Sequence, residues 1–179
     1  YTVDVFAPGG VGVEQGEDPN HPEAQYTCVI NPLDFMKDAR DATTAGELAK
    51  IFIDSQGGGD GKKDFFSQTG GMLAKGLMQL AKSSKYQDLP MVYAITQLPN
   101  LVKRLDWAVQ RNDKHKLDPW IAATLSNFLS SKESEKTAAS IKTTAEITFS
   151  GFIQNDLLPC MIGKSTIDLH LKPKQLLVM

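Results

Sequence analysis

The apolar positions of this chain change period twice. Thr2-Val-Asp-Val-Phe6 alternates between apolar and polar and runs into Ala-Pro-Gly-Gly10, the pattern of a strand followed by a turn. Tyr26-Thr-Cys-Val-Ile30 is a second short β-like run, ended by Asn31-Pro32. From about residue 44 to residue 153, apolar side chains recur every three or four positions, the spacing of helices with one buried face. Thr166-Ile-Asp-Leu169 is extended again, and Lys174-Gln-Leu-Leu-Val-Met179 after Pro173 predicts a closing strand.

About six helices are expected between these ends. Residues 33 to 41 read as a turn or short helix. Thr44-Ala-Gly-Glu47 fits a capping box, with Leu48, Ile51 and Phe52 following on one face, and Gly57-Gly-Gly-Asp-Gly61 breaks that helix. A longer helix is predicted over residues 63–82, burying Phe65, Phe66, Met72, Leu73, Leu77 and Leu80. Asp88-Leu-Pro90 starts another, with Asp as N-cap and Pro in the first turn. After the break at Leu98-Pro99-Asn100, Leu101, Leu105, Ala108 and Val109 recur at helical spacing. Asp118-Pro119-Trp120 repeats the cap-then-proline device ahead of Ile121, Leu125, Phe128 and Leu129. The last helix, over residues 132–153, is expected to be the longest, with Ala138, Ile141, Ala145, Phe149 and Phe152 as its stripe. No repeat at a solenoid period is present.

The fold class is therefore mainly α, a multi-helix domain with short flanking β-strands. A helical block between two orphan strands is hard to build as a free-standing fold. It is readily understood as an insertion in a larger α/β domain, whose catalytic machinery would lie elsewhere. The expected division is 1–32 as a strand and acidic-loop fringe, 33–162 as the helical domain, and 163–179 as an extended segment and returning strand.

At 179 residues, 41% hydrophobic and 22% charged, the composition is that of one ordinary globular domain. No apolar run approaches the ~20 residues of a membrane span, and the N-terminus lacks a signal-peptide pattern. Cys28 and Cys160 stand far apart without ligand-spaced partners, which argues against a disulfide scaffold or zinc site and for thiols in a reducing compartment. His21, His115 and His170 are equally isolated. Residues 1–36 carry six acids (Asp4, Glu14, Glu17, Asp18, Glu23, Asp34) and no Lys or Arg, so the remainder is +4 within a net charge of −2. That balance is far from the one expected of a dedicated duplex-DNA binder.

Two glycine motifs imitate phosphate loops. Gly163-Lys-Ser-Thr166 lacks the earlier glycine, since Leu158 stands there, and is followed by extended chain instead of a helix. Gly61-Lys62 has Gln56 at the glycine position and Lys63 where Ser or Thr belongs. No serine sits in a Gly-x-Ser-x-Gly elbow, and Asp34, Asp38 and Asp41 read as solvated acids and helix caps. Two features could instead meet a partner. Lys103, Arg104, Arg111, Lys114 and Lys116, with Asp106 and Asp113 among them, give a local +3 that suits phosphates or an acidic tail. Trp107 is expected in the core, yet lies close enough to stack a base if the surface is open. Thr137, Ser140, Thr143, Thr144 and Thr148 put a hydroxyl series on the last helix, explained either by tight packing or by a polar face toward a partner.

The order of segments resembles the type IV secretion coupling proteins, the hexameric motors of conjugation. The resemblance rests on the box Asn31-Pro-Leu-Asp34, the helix start Lys63-Asp-Phe-Phe66 with Met72-Leu-Ala-Lys-Gly-Leu77, and the hydroxyl-rich Thr137-Ala-Ala-Ser-Ile-Lys-Thr-Thr-Ala145. Thr166-Ile-Asp-Leu169 and the run from Lys174 to Met179 match the family's following segments in type and order. The loop from Gly9 to Tyr26 is longer than in the family. The resemblance implies the motor's all-α domain, lying between the phosphate loop and the magnesium-binding acid motif and flanked by strands of a RecA-like domain. It implies no catalysis and no cofactor in these residues, ATP and Mg belonging to a homohexameric parent at the cytoplasmic face of the bacterial inner membrane. The isolated unit would be cytoplasmic, its oligomeric state left open with a monomer as one option. Its partners would be a relaxase or relaxosome, or effector proteins, with DNA as a further candidate, and its binding residues would be Lys103, Arg104, Arg111, Lys114, Lys116, Thr137, Ser140 and Thr144. The alternatives are a stand-alone helical adaptor or regulator binding protein or nucleic acid, and an enzyme assembled from scattered residues.

Overall fold

The computed structural model describes residues 29–55, 65–153 and 157–167. Within them the chain forms seven α-helices: α1 (Ala42–Ser55), α2 (Phe65–Lys82), α3 (Leu89–Thr96), α4 (Leu101–Gln110), α5 (Pro119–Thr124), α6 (Ser126–Leu129) and α7 (Glu135–Ser150). Short 3-10 turns lie at Pro32–Phe35, Ser130–Glu133 and Leu158–Cys160. The mainly α class is correct. The flanking strands are not supported: no strand occurs among the described residues, and the described parts of two predicted strands, residues 29–30 and 166–167, are loop and bend. The strands predicted at residues 2–6 and 174–179, like the glycine run at 57–61 and Cys28, lie outside the described residues.

Among the described residues helix α2 is the longest and is the hub of the fold, in contact with α1, α3, α5, α6 and α7. Leu73, Ala74, Leu77, Met78 and Ala81 supply its buried side chains, as helical spacing requires. Two glycines permit close approach by its neighbours. A Cβ on Gly70 would lie 2.6 Å from Thr144 Cγ2, and one on Gly76 would lie 2.4 Å from Leu125 Cδ2. Around this hub pack Leu33, Met36, Leu89, Val92, Leu101, Ile121, Ile141 and Phe149. At the far end of the core Phe52 meets Phe149 edge-on, with ring centres 6.2 Å apart, and Phe152 at 4.7 Å.

Helix starts follow the local chemistry, with two shifts. Asp88 accepts the Met91 N–H at 3.0 Å and Asp118 accepts the Trp120 N–H at 2.9 Å, each ahead of a proline in the first turn. At α1 the cap is Asp41 and not Thr44: the Asp41 carboxylate accepts both the N–H (3.1 Å) and the hydroxyl (2.9 Å) of Thr44, so the helix begins two residues before the expected box. The expected final helix over residues 132–153 is shorter, because Ser134 caps it and residues 130–133 form a tighter turn. The segment after Asp118 is split at Leu125 (φ −83°, ψ −2°), which raises the helix count to seven.

Candidate functional site

Among the places where polar side chains gather are the neck, where residues 29–34 meet residues 160–166, and the link between α4 and α5. At the neck the incoming and outgoing segments run side by side. Thr166 donates its N–H to the Val29 carbonyl at 3.0 Å, Val29 donates to the Thr166 hydroxyl at 2.8 Å, and Ile30 donates to the Cys160 carbonyl at 2.9 Å. Asn31, almost wholly buried, fastens this junction. Its Nδ2 donates to the carbonyls of Gln87 and Gly163, both at 2.6 Å, its Oδ1 accepts Leu33 N–H at 3.0 Å, and its own N–H donates to Ser165 Oγ at 2.9 Å.

The acid of the same box completes the clamp. Asp34 accepts the Ser165 N–H at 2.7 Å and pairs with Lys82 Nζ at 3.3 Å. Burial alone would raise the Asp34 pKa, but the hydrogen bonds from Ser165 and Lys82 outweigh it and hold the carboxyl below its ordinary range. Asp88 accepts the Gly163 N–H at 3.1 Å with its second oxygen. Gly163, at φ +85°, makes the turn that aims this amide. The Gly163-Lys-Ser-Thr166 run is therefore built for two carboxylates. Two of the amides a phosphate would need, those of Gly163 and Ser165, are already taken by groups of its own sign, and the Thr166 amide by a carbonyl. A cleft of about 450 Å³ opens beside the clamp, lined by Lys82, Lys85, Tyr86, Gln87 and Lys164 among others.

The five cations singled out in sequence do not form one patch. Lys103 and Arg104 sit in the first turn of α4, where Lys103 faces Glu135 at 3.5 Å and Arg104 Nε donates to the Pro99 carbonyl at 2.9 Å. Arg111 lies at the opposite end of the helix, about 10 Å further along its axis. There the Arg111 guanidinium stacks on the Trp107 ring, 4.2 Å from its centre, and is held by Asp113, whose Oδ1 accepts from Nε at 2.8 Å. The hydrogen bond to Arg111 keeps the Asp113 carboxyl far below the usual carboxylate range and raises the guanidinium in turn. Lys114, His115 and Lys116 follow, all exposed, and the two lysines have no ion-pair partner among the described residues.

Trp107 is not a core residue. It is 61% exposed, and Trp120, at the start of α5, is 67% exposed. These are the two tryptophans of the chain, and they flank one basic link. The link is itself anchored: Leu117, buried, donates to the Ala108 carbonyl at 2.9 Å, and Arg40 pairs with Asp118 at 2.8 Å. That pair, then the Trp120 N–H, lower the Asp118 pKa.

Four of the five hydroxyls of the α7 series are turned onto the helix itself, and Thr143 is exposed. Thr137 shares a 2.8 Å hydrogen bond with Ser134 at the cap. Ser140, Thr144 and Thr148 donate to the carbonyls of Lys136, Ser140 and Thr144, four residues earlier, at 3.0, 3.1 and 3.0 Å. Thr144 lies against Gly70 of α2, at the close α2–α7 approach. Between α4 and α7 lies a smaller groove of about 210 Å³, floored by Leu101, Val102, Phe128 and Ala138. No protein-family model, curated protein or solved structure matches the chain.

Proposed function

We propose that this chain is the helical substrate-docking domain of a type IV secretion coupling ATPase, receiving relaxase–DNA complexes or protein effectors for an ATP-driven channel formed outside these residues. The observation that carries the reading is the neck. Both connections of the helical unit leave from one point, hydrogen-bonded to each other through Val29 and Thr166, which is the geometry an inserted domain needs. A second support is the role of the Asn31-Pro-Leu-Asp34 box, which ties that point to the C-terminus of α2 and the N-terminus of α3. On this reading the unit itself does not turn over ATP. Capture of a cognate relaxosome protein or an effector's secretion signal by the purified chain tests it. Retention of such a partner, lost on changing Trp107 or Lys114, is expected; consistent failure to retain any would sink the docking role. ATP turnover by the purified chain would favour an enzyme instead.

A further inference from the structure

We infer that the α4–α5 surface binds single-stranded nucleic acid directly, with Trp107 and Trp120 as stacking platforms and Lys114 and Lys116 as phosphate contacts. The inference rests on the docking reading for its place in transport and names one class of cargo. Its physical basis stands on four observations. Tryptophan is among the side chains most strongly driven from water, yet both of this chain's tryptophans stay more than 60% exposed, one on each side of a single link. The link is held in shape by Leu117–Ala108, Arg40–Asp118 and Arg111–Asp113, so the rings are presented on fixed backbone. Arg111 covers part of Trp107 as a stacked guanidinium, the arrangement that extends a flat cationic platform. Lys114 and Lys116 carry charge that no described carboxylate neutralises.

These features favour a nucleic-acid strand over an acidic peptide. A peptide anchors by sinking side chains into pockets, and neither indole lines the cleft beside the clamp or the groove between α4 and α7. A base needs only an exposed ring face; both indoles are largely solvent-exposed, and Arg111 is stacked on the Trp107 ring. Duplex DNA is the poorer ligand, because its bases are already stacked and two free lysines meet few of its phosphates.

The chain carries its own reporter, since all of its tryptophan emission comes from this surface. Titrating the 179-residue chain with oligothymidylate of about 12 nucleotides should quench that emission. Affinity should fall with salt at a log–log slope of about −1.4 if two phosphates are neutralised. Trp107→Ala and Trp120→Ala should each weaken binding about tenfold, Trp107→Phe should keep part of it, and Lys114→Glu with Lys116→Glu should flatten the salt slope. Unchanged emission with oligothymidylate overturns the inference. So does equal binding of polyglutamate or of an abasic phosphodiester chain, which would assign the surface to an acidic partner read by charge alone. Thermal melts of each variant separate lost binding from lost folding. Capture of a relaxosome protein without oligothymidylate binding removes this inference alone; oligothymidylate binding without any captured partner removes the docking reading alone.

Discussion

The neck and the α4–α5 link are both polar and lie at opposite extremes of saturation. At the neck every hydrogen-bonding group of the Asn31 side chain is engaged, and the carboxylates of Asp34 and Asp88 each accept a backbone N–H from the outgoing segment. At the link the backbone is equally fixed, but two indoles and two ammonium groups are left to solvent. A saturated polar cluster holds elements together, because each group removed leaves its partner unpaired. An ordered but unsaturated one is free to take a ligand. On the proposed reading, the difference separates attachment from recognition.

Breaking the neck should have the largest effect. Asn31→Ala strands the carbonyls of Gln87 and Gly163 and should lower unfolding free energy by about 3–5 kcal/mol, measured by urea denaturation. Asp34→Asn should cost about 2–3 kcal/mol at neutral pH, because it leaves the nearly buried Lys82 ammonium without its charge partner. The pH dependence has a definite sign. The Asp34 pKa is depressed in the folded state, so its contribution is present above the ordinary value of 3.8 and is lost as pH falls through the lower folded value. The gap between the wild-type chain and Asp34→Asn should therefore close in acid below about pH 4.

Within the core, Gly76→Ala sets a gain in helix propensity against overlap with Leu125, and a net loss of about 1–2 kcal/mol is expected. Gln79 sharpens the contrast between satisfied and unsatisfied polar groups. It is fully buried on α2 and neither its amide nitrogen nor its oxygen has a partner among the described residues, so Gln79→Met should stabilise the chain by about 1 kcal/mol. Smallest of all for stability should be Trp107→Ala, within about 0.5 kcal/mol, although the same change removes a proposed stacking ring. A melting shift for Trp107→Ala as large as that for Asn31→Ala would erase the distinction between the two regions.

Local devices in the sequence were the most legible. The pairs Asp88 with Pro90 and Asp118 with Pro119 mark real helix starts, since cap and proline act within one turn and need no tertiary partner. The stripe Leu73, Leu77 and the stripe Ala138, Ile141, Ala145, Phe149 are buried as periodicity demands. Met72 was assigned to the core but is 39% exposed, because it sits off the Leu73–Leu77 face and meets Asn127 instead. Trp107 failed for a related reason. Leu101 and Leu105 define the buried face of α4, and a residue two positions past Leu105 lies about 200° around the helix. The spacing carried the answer, and the size of the side chain obscured it. The clamp between Asn31 and Ser165 had no sequence signal, since it joins residues 134 positions apart through hydrogen bonds that no short-range pattern encodes.

Hydrogen–deuterium exchange of the whole chain, with and without saturating oligothymidylate, tests the separation of attachment from recognition most directly. Added protection is predicted over the link from Trp107 to Trp120, with the neck residues 29–34 and 160–166 slow in both states and unchanged. Protection gained at the neck or along α7, with the link unaffected, would contradict it.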